Sequence, residues 1–179
     1  MYDKLIEHEY LDQVFHEALR LHPPAPLTNR ECTEPIELEC VKGKMVQFNK
    51  GDSLNIPIYS IHRDPGKVFS SGFIEKHSLK YFLDYYPEPE KFQPERFNPE
   101  HGGIKAFKDK GVFMPFGDGP RICLGMRFAL MLSKSAIVQL VRNFEITVNR
   151  KTQKPLVMDP KEFLNVKAGG IWLDFKPLH

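Results

Sequence analysis

Apolar side chains recur at Leu11, Val14, Phe15, Ala18 and Leu19, the i, i+3, i+4, i+7 spacing of an amphipathic helix. The pattern predicts a helix over 9–21, ended by Pro23-Pro24. Glu17 and Arg20 lie three apart on that helix, away from the centre of its apolar stripe, and periodicity alone makes them a solvated ion pair. Between 36 and 61 the period shortens. Ile36-Glu37-Leu38 alternates, Lys42-Gly43-Lys44 turns, and Met45-Val46-Gln47-Phe48 follows. After a turn at Lys50-Gly51-Asp52, the run Leu54-Asn55-Ile56-Pro57-Ile58 continues the β character, with Pro57 pointing to an edge. Residues 98–115 read as a polar loop. A second helix is predicted from Met126 to about Phe144, with apolar residues at 129, 132, 136, 137, 140, 141 and 144 and no Gly or Pro inside. The tail reads as strands and hairpins, including 154–158 and 170–175.

A chain of 179 residues suits one domain with its own core. Its net charge of +2, with acids and bases interspersed, implies no nucleic-acid or membrane-surface field. Cys32, Cys40 and Cys123 are an odd set without C-x-x-C spacing, which argues against a zinc site or a disulfide scaffold and for a reducing compartment. No apolar run approaches the roughly 18 residues needed to span a bilayer, and no signal peptide is visible.

The candidate chemistry lies in Phe116-Gly117-Asp118-Gly119-Pro120-Arg121-Ile122-Cys123-Leu124-Gly125. Glycines at 117, 119 and 125 would let the backbone take positive φ and approach a flat ligand closely. Cys123 stands just ahead of the second helix, where a thiolate would feel the positive end of the helix dipole and unpaired amides. Thiols are mostly protonated near neutral pH, so a metal ion is the natural partner for one held this way. The plain alternative is a buried, inert cysteine. A phosphate loop fits worse, since Ile122 takes the place of the third glycine of the dinucleotide fingerprint and no Gly-Lys-Ser/Thr follows.

The spacing Phe116-x-x-Gly119-x-Arg121-x-Cys123-x-Gly125 resembles the haem-binding signature of the cytochrome P450 family. Glu17-Ala18-Leu19-Arg20 resembles the family's Glu-x-x-Arg helix motif, and Pro94-Glu95-Arg96-Phe97 a further family motif, all three in the family's order. Ile61-His62-Arg63-Asp64-Pro65 and Tyr85-Tyr86-Pro87-Glu88-Pro89-Glu90-Lys91-Phe92 resemble elements of microsomal, insect-type members. Relatives join these two segments almost directly. Residues 66–84 are thus an atypical insertion, whose Gly-Lys start is compatible with an intron read in frame; sequencing the transcript decides between intron and loop.

The resemblance implies an α+β chain, the C-terminal part of a single, mainly helical cytochrome P450 domain. Cys123 would ligate the iron of haem b, with Phe116 beside the sulfur. Gly119, Arg121, Gly125 and Ala129 would lie at the cofactor, with Phe128 near its edge, and Arg30 would reach a propionate. Glu17, Arg20 and Arg96 would interlock, and a turn near Asp159 to Leu164 would touch substrate. No catalytic residue beyond the haem ligand is expected here. The implied activity is monooxygenation of apolar small molecules by dioxygen, with electrons from NADPH delivered by a flavoprotein reductase on the cytosolic face of the endoplasmic reticulum. The oxygen-activating helix and membrane anchor would lie upstream of Met1. Two other readings compete: a catalytically inactive truncated fragment or gene-model product, which a genuine stop upstream of Met1 would favour, and an unrelated small domain with a structural cysteine.

Overall fold

A computed structural model describes residues 8–41, 43–64 and 85–179; the atypical segment 66–84 lies outside them. Helix α1 (Glu9–Leu21) forms where the periodicity predicts. The His8 side chain accepts from the Leu11 N–H, Glu9 and Asp12 place negative charge in the first turn, and Arg20 places positive charge in the last. The His22 N–H closes the helix on the Ala18 carbonyl, one residue before the proline pair.

The face that α1 buries overturns what periodicity alone predicts. Gln13, His16, Glu17 and Arg20 go inside together with Leu19 and Leu21, whereas Leu11, Val14, Phe15 and Ala18 of the apolar stripe are only half-buried. Glu17 and Arg20 are therefore not a solvated pair. Burying charge is tolerable when every polar atom finds a partner, and here the segment 91–96 supplies partners on that side of the helix.

Strand β1 (Thr28–Glu31) pairs antiparallel with β4 (Ser53–Ile56), Thr28 facing Ile56. Inside that pair sits the hairpin of β2 (Ile36–Val41) and β3 (Lys44–Phe48), with a register shift between Glu39 and Val41. The β run expected through Ile58 stops at Ile56. Pro57, which has no N–H to give to a ladder, instead opens the single turn α2 (Ile58–Ile61), with the Ile61 N–H on the Pro57 carbonyl.

The polar loop expected over 98–115 is also overturned. After the 3-10 turns Pro94–Phe97 and Pro99–His101 comes helix α3 (Gly103–Asp109). Asn98 caps the second turn by accepting from the Glu100 N–H at 2.8 Å. The period of α3 is too short to read, yet Ile104 and Phe107 pack on the core of Leu19, Phe97 and Phe113, as do Phe15 and Phe116. The Phe97 ring lies 4.8 Å from that of Phe113 and 5.1 Å from that of Phe107. Fully burying such a side chain contributes about 1.5–3 kcal/mol.

Helix α4 (Met126–Asn143) runs straight into β5 (Phe144–Val148), which pairs antiparallel with β6 (Leu173–Pro177), so Phe144 opens a strand rather than closing the helix. Residues 154–158 form no strand; Met158 makes a single bridge to Lys167. Lys134, buried on α4, pairs with Asp12 and ties this helix to α1. Among the described residues no helix is long and apolar enough to cross a membrane.

Candidate functional site

Two structures make up the site region. The first is a charged knot. Arg20 grips Glu17 with both prongs, Nε to Oε2 at 2.7 Å and Nη2 to Oε1 at 2.8 Å, and both side chains are 0% exposed. Its remaining donors reach backbone carbonyls, Nη1 to His62 at 2.8 Å and Nη2 to Lys91 at 3.2 Å. The guanidinium carbon also lies 5.0 Å from the centre of the Tyr86 ring, a stacking arrangement that lysine cannot match. Glu17 Oε1 further accepts from the Gln93 N–H at 2.9 Å and faces Arg96 Nε at 3.4 Å. Arg96 Nη2 donates to the Glu88 carbonyl at 2.9 Å. Burial pulls Arg96 below its ordinary value, with Glu17 opposing, and burial raises the Tyr86 phenol, which donates to the Val112 carbonyl at 3.0 Å. Both charges of the pair are thus paired and hydrogen-bonded, the condition under which they can stay inside.

The second structure is the cysteine loop. The Gly117 N–H returns to the Met114 carbonyl at 3.0 Å, the Ile122 N–H to Gly119 at 3.1 Å, and the Cys123 N–H to Phe116 at 2.8 Å. These bonds fold the ten residues into a closed turn with Cys123 beside Phe116. Gly117 (φ +74°) and Gly119 (φ +70°) take the left-handed conformation that the tight path requires. Gly125 does not: its φ is −83°, an ordinary value, and a Cβ there would meet no protein atom within 4 Å. Cys123 is exposed and three residues ahead of α4, whereas Cys32 is buried, its thiol donating to the Glu34 carbonyl at 2.9 Å.

A cavity of about 380 Å³ lies against this loop. Phe116, Gly117, Arg121 and Cys123 line it from the loop, and Pro24, Leu27, Arg30 and Ile58 from the N-terminal half. Four of the expected cofactor residues are thereby brought together. Gly119, Gly125 and Ala129 are not among the lining residues, and Phe128 on α4 points to solvent at 63% exposure. Arg30 also donates to Thr28 Oγ1 at 3.1 Å and to the Asn29 carbonyl at 2.7 Å, which holds its Nη1 near the cavity wall.

His62 links knot and loop, a role the sequence did not disclose. Its Nε2 accepts from the Met114 N–H at 2.9 Å, its ring stacks on Phe113 at 5.1 Å, and its own carbonyl accepts from Arg20. Burial pushes the imidazole down to about 3, aided by the Arg20 and Arg63 charges. The ring is therefore neutral near pH 7, with the proton on Nδ1 and Nε2 left as acceptor.

The cytochrome P450 family model matches residues 1–71 and 74–173. Probable cytochrome P450 28d1 of Drosophila melanogaster is 40% identical over 174 residues, covering 97% of this chain and 31% of the relative. Cytochrome P450 9e2 of Blattella germanica is 40% identical over 173 residues, covering 96% of this chain and 28% of the relative. Cytochrome P450 3A31 of Mesocricetus auratus is 39% identical over 163 residues, covering 91% of this chain and 27% of the relative. The chain thus spans roughly a third of the length of the curated relatives it matches. With its cysteine loop, charged knot and matching segments in one order, the chain belongs to the cytochrome P450 family.

Proposed function

We propose that these residues form the haem-holding part of a haem-thiolate monooxygenase, with Cys123 as the iron ligand. The observation that carries the reading is the cavity, where one exposed thiol, two guanidiniums and apolar walls meet. That donor set suits haem b: a soft thiolate for iron, planar cations for the two propionates, and apolar surface for the macrocycle. Gly125 supports it further, because its φ of −83° is ordinary, a Cβ there would stand in open space, and nothing among the described residues calls for glycine there. Cys123 would hold its proton-free sulfur toward the iron, Arg121 and Arg30 would orient and neutralise the propionates, and Phe116 would keep water from the sulfur. Bound there, haem would supply the insertion of one atom of dioxygen into an apolar small molecule, the other atom leaving as water, with the two electrons drawn from NADPH through a flavoprotein reductase. In the full-length protein this would take place at the cytosolic face of the endoplasmic reticulum membrane.

The test is the ferrous carbon-monoxide spectrum of the full-length protein. A thiolate ligand gives a red-shifted Soret band. Cys123→Ser should abolish it, while Cys32→Ser and Cys40→Ser should leave it. A band that survived Cys123→Ser would overturn the assignment.

One observation favours a second reading, in which the 179-residue chain by itself does not turn over. The cysteine loop and α4 leave Leu124, Phe128 and Leu132 largely in solvent, and a monooxygenase needs an enclosed, water-excluding site. Sustained, substrate-dependent NADPH consumption by the purified chain with reductase would exclude this reading.

A further inference from the structure

The cysteine loop is fastened within itself by backbone bonds, but its entry at Met114 is held by a side chain from elsewhere. The Met114 N–H donates to His62 Nε2 at 2.9 Å, across 52 positions of sequence. The same histidine is fixed on its other flanks. Its ring stacks on Phe113 with the planes 28° apart, it is 0% exposed, and its carbonyl receives Arg20 Nη1 at 2.8 Å. Arg20 is in turn held by Glu17, so His62 joins the knot, through its main-chain carbonyl, to Met114, through its ring, two residues ahead of Phe116.

From this geometry we infer that His62 is a positioning residue: its Nε2 lone pair fixes the entry of the cysteine loop and couples loop placement to the Glu17–Arg20 knot. The inference rests on the haem-thiolate reading for its consequence, since a displaced Met114 would displace Phe116 and with it the carbonyl that holds the Cys123 N–H. Met114 is half-buried, so its amide, on losing its acceptor, would have only partial access to water and would remain poorly satisfied. The loop would therefore shift to find another partner, and the cavity wall made by Phe116 and Cys123 would shift with it. A protonated ring could not accept at Nε2, and Nδ1, which faces the α1 backbone, has no hydrogen bond of good geometry to compensate. Burial keeps the ring in the neutral, accepting form.

The experiment compares His62→Phe, which keeps the ring and its stacking but removes the acceptor, with His62→Gln, whose side-chain carbonyl can accept again. Amide exchange is followed by mass spectrometry on a peptide spanning 111–118 in the full-length protein, together with the rate of haem transfer to apomyoglobin. Loss of a buried acceptor should speed exchange in that peptide about tenfold or more in His62→Phe, with α1 peptides unchanged, and should speed haem transfer as well. His62→Gln should recover most of both. The inference falls if His62→Phe exchanges at the parent rate, or if Gln is as impaired as Phe, which would mark a packing role only. Should His62→Phe fail to fold, His62→Gln decides alone: near-parent exchange and haem retention support the acceptor role, and their loss overturns it. The exchange arm needs no haem, so failure of the Cys123 assignment and failure of this inference are separate results.

Discussion

The knot around Glu17 and the helix after Cys123 reverse the usual placement of residue types. Glu17 and Arg20 carry full charges and are wholly buried, whereas Leu124, Phe128 and Leu132 are apolar and stand in solvent, Leu124 completely. The difference lies in who supplies the partners. The knot is satisfied by groups in this chain: the carbonyls of His62 and Lys91, the Gln93 amide, the Tyr86 ring and Arg96. Helix α4 is anchored by the ion pair of Lys134 with Asp12 and has an apolar surface that the described residues do not cover. The relatives are about three times longer than this chain, so a cover for α4 is expected from outside these residues. The two regions therefore teach different things. The knot is a local device held by groups among the described residues, whereas the cysteine loop lines an open cavity and its helix carries an uncovered apolar face.

The largest expected effect breaks the knot. Glu17→Ala would leave the Arg20 charge buried without its carboxylate and should cost about 3–5 kcal/mol. The exposed pair Lys105–Asp109 on α3 serves as control; Lys105→Ala should cost no more than about 0.5 kcal/mol. Denaturant midpoints of the two variants measure this. Equal losses would mean that the knot is no more than a surface pair.

A smaller effect comes from acid. His62 has a folded value of about 3, well below its ordinary 6.5. Between those values the unfolded chain binds a proton that the folded chain refuses, so the histidine's contribution is fully present above about pH 6.5 and is lost as pH falls. Stability should drop by about 2 kcal/mol between pH 7 and pH 5 from this group. His16, lowered chiefly by burial against the attraction of Asp12, adds in the same direction. His62→Gln should flatten the slope. An unchanged slope in that variant would show that other groups carry the acid sensitivity.

The sequence disclosed helices and chemistry better than burial. The helix at 9–21 and the one from Met126 announce themselves because their apolar periods run over three turns or more. The period names an apolar face, however, and says nothing of which neighbour covers which side. That is why α1 was expected to bury Leu11, Val14 and Phe15 and instead buries Gln13, His16 and Glu17. Helix α3 was missed because its core contacts are only Ile104 and Phe107, three residues apart. The strand expected at 154–158 fails because the described chain offers it one bridging residue, Lys167, and not a partner strand. In the site, Phe116, Arg121 and Cys123 were legible as a motif and Arg30 by resemblance, and all four line the cavity. His62 lies within a motif that gives it no role of its own. Its function depends on Met114 and Arg20, both distant in sequence, and no local spacing could reveal that.

The smallest effect sharpens the comparison most, because it separates what this chain does alone from what it does when covered. Phe128 and Leu132 are 63% and 56% exposed. In the isolated 179-residue chain there is little apolar contact to lose at either place. Phe128→Ser and Leu132→Ser should each change stability by no more than about 0.5 kcal/mol, as exposed substitutions do. If a cover exists in the full-length protein, the same changes there should cost several-fold more, since replacing a covered Leu or Phe by a small residue removes about 2–5 kcal/mol. The pair of measurements must be read together. A near-zero effect in both settings would mean that α4 keeps its apolar face in water even in the whole protein, leaving Leu124 and Phe128 free to meet another molecule. A large effect already in the isolated chain would mean that the helix is covered there by the chain itself, and the contrast between a self-sufficient knot and an open wall would fail.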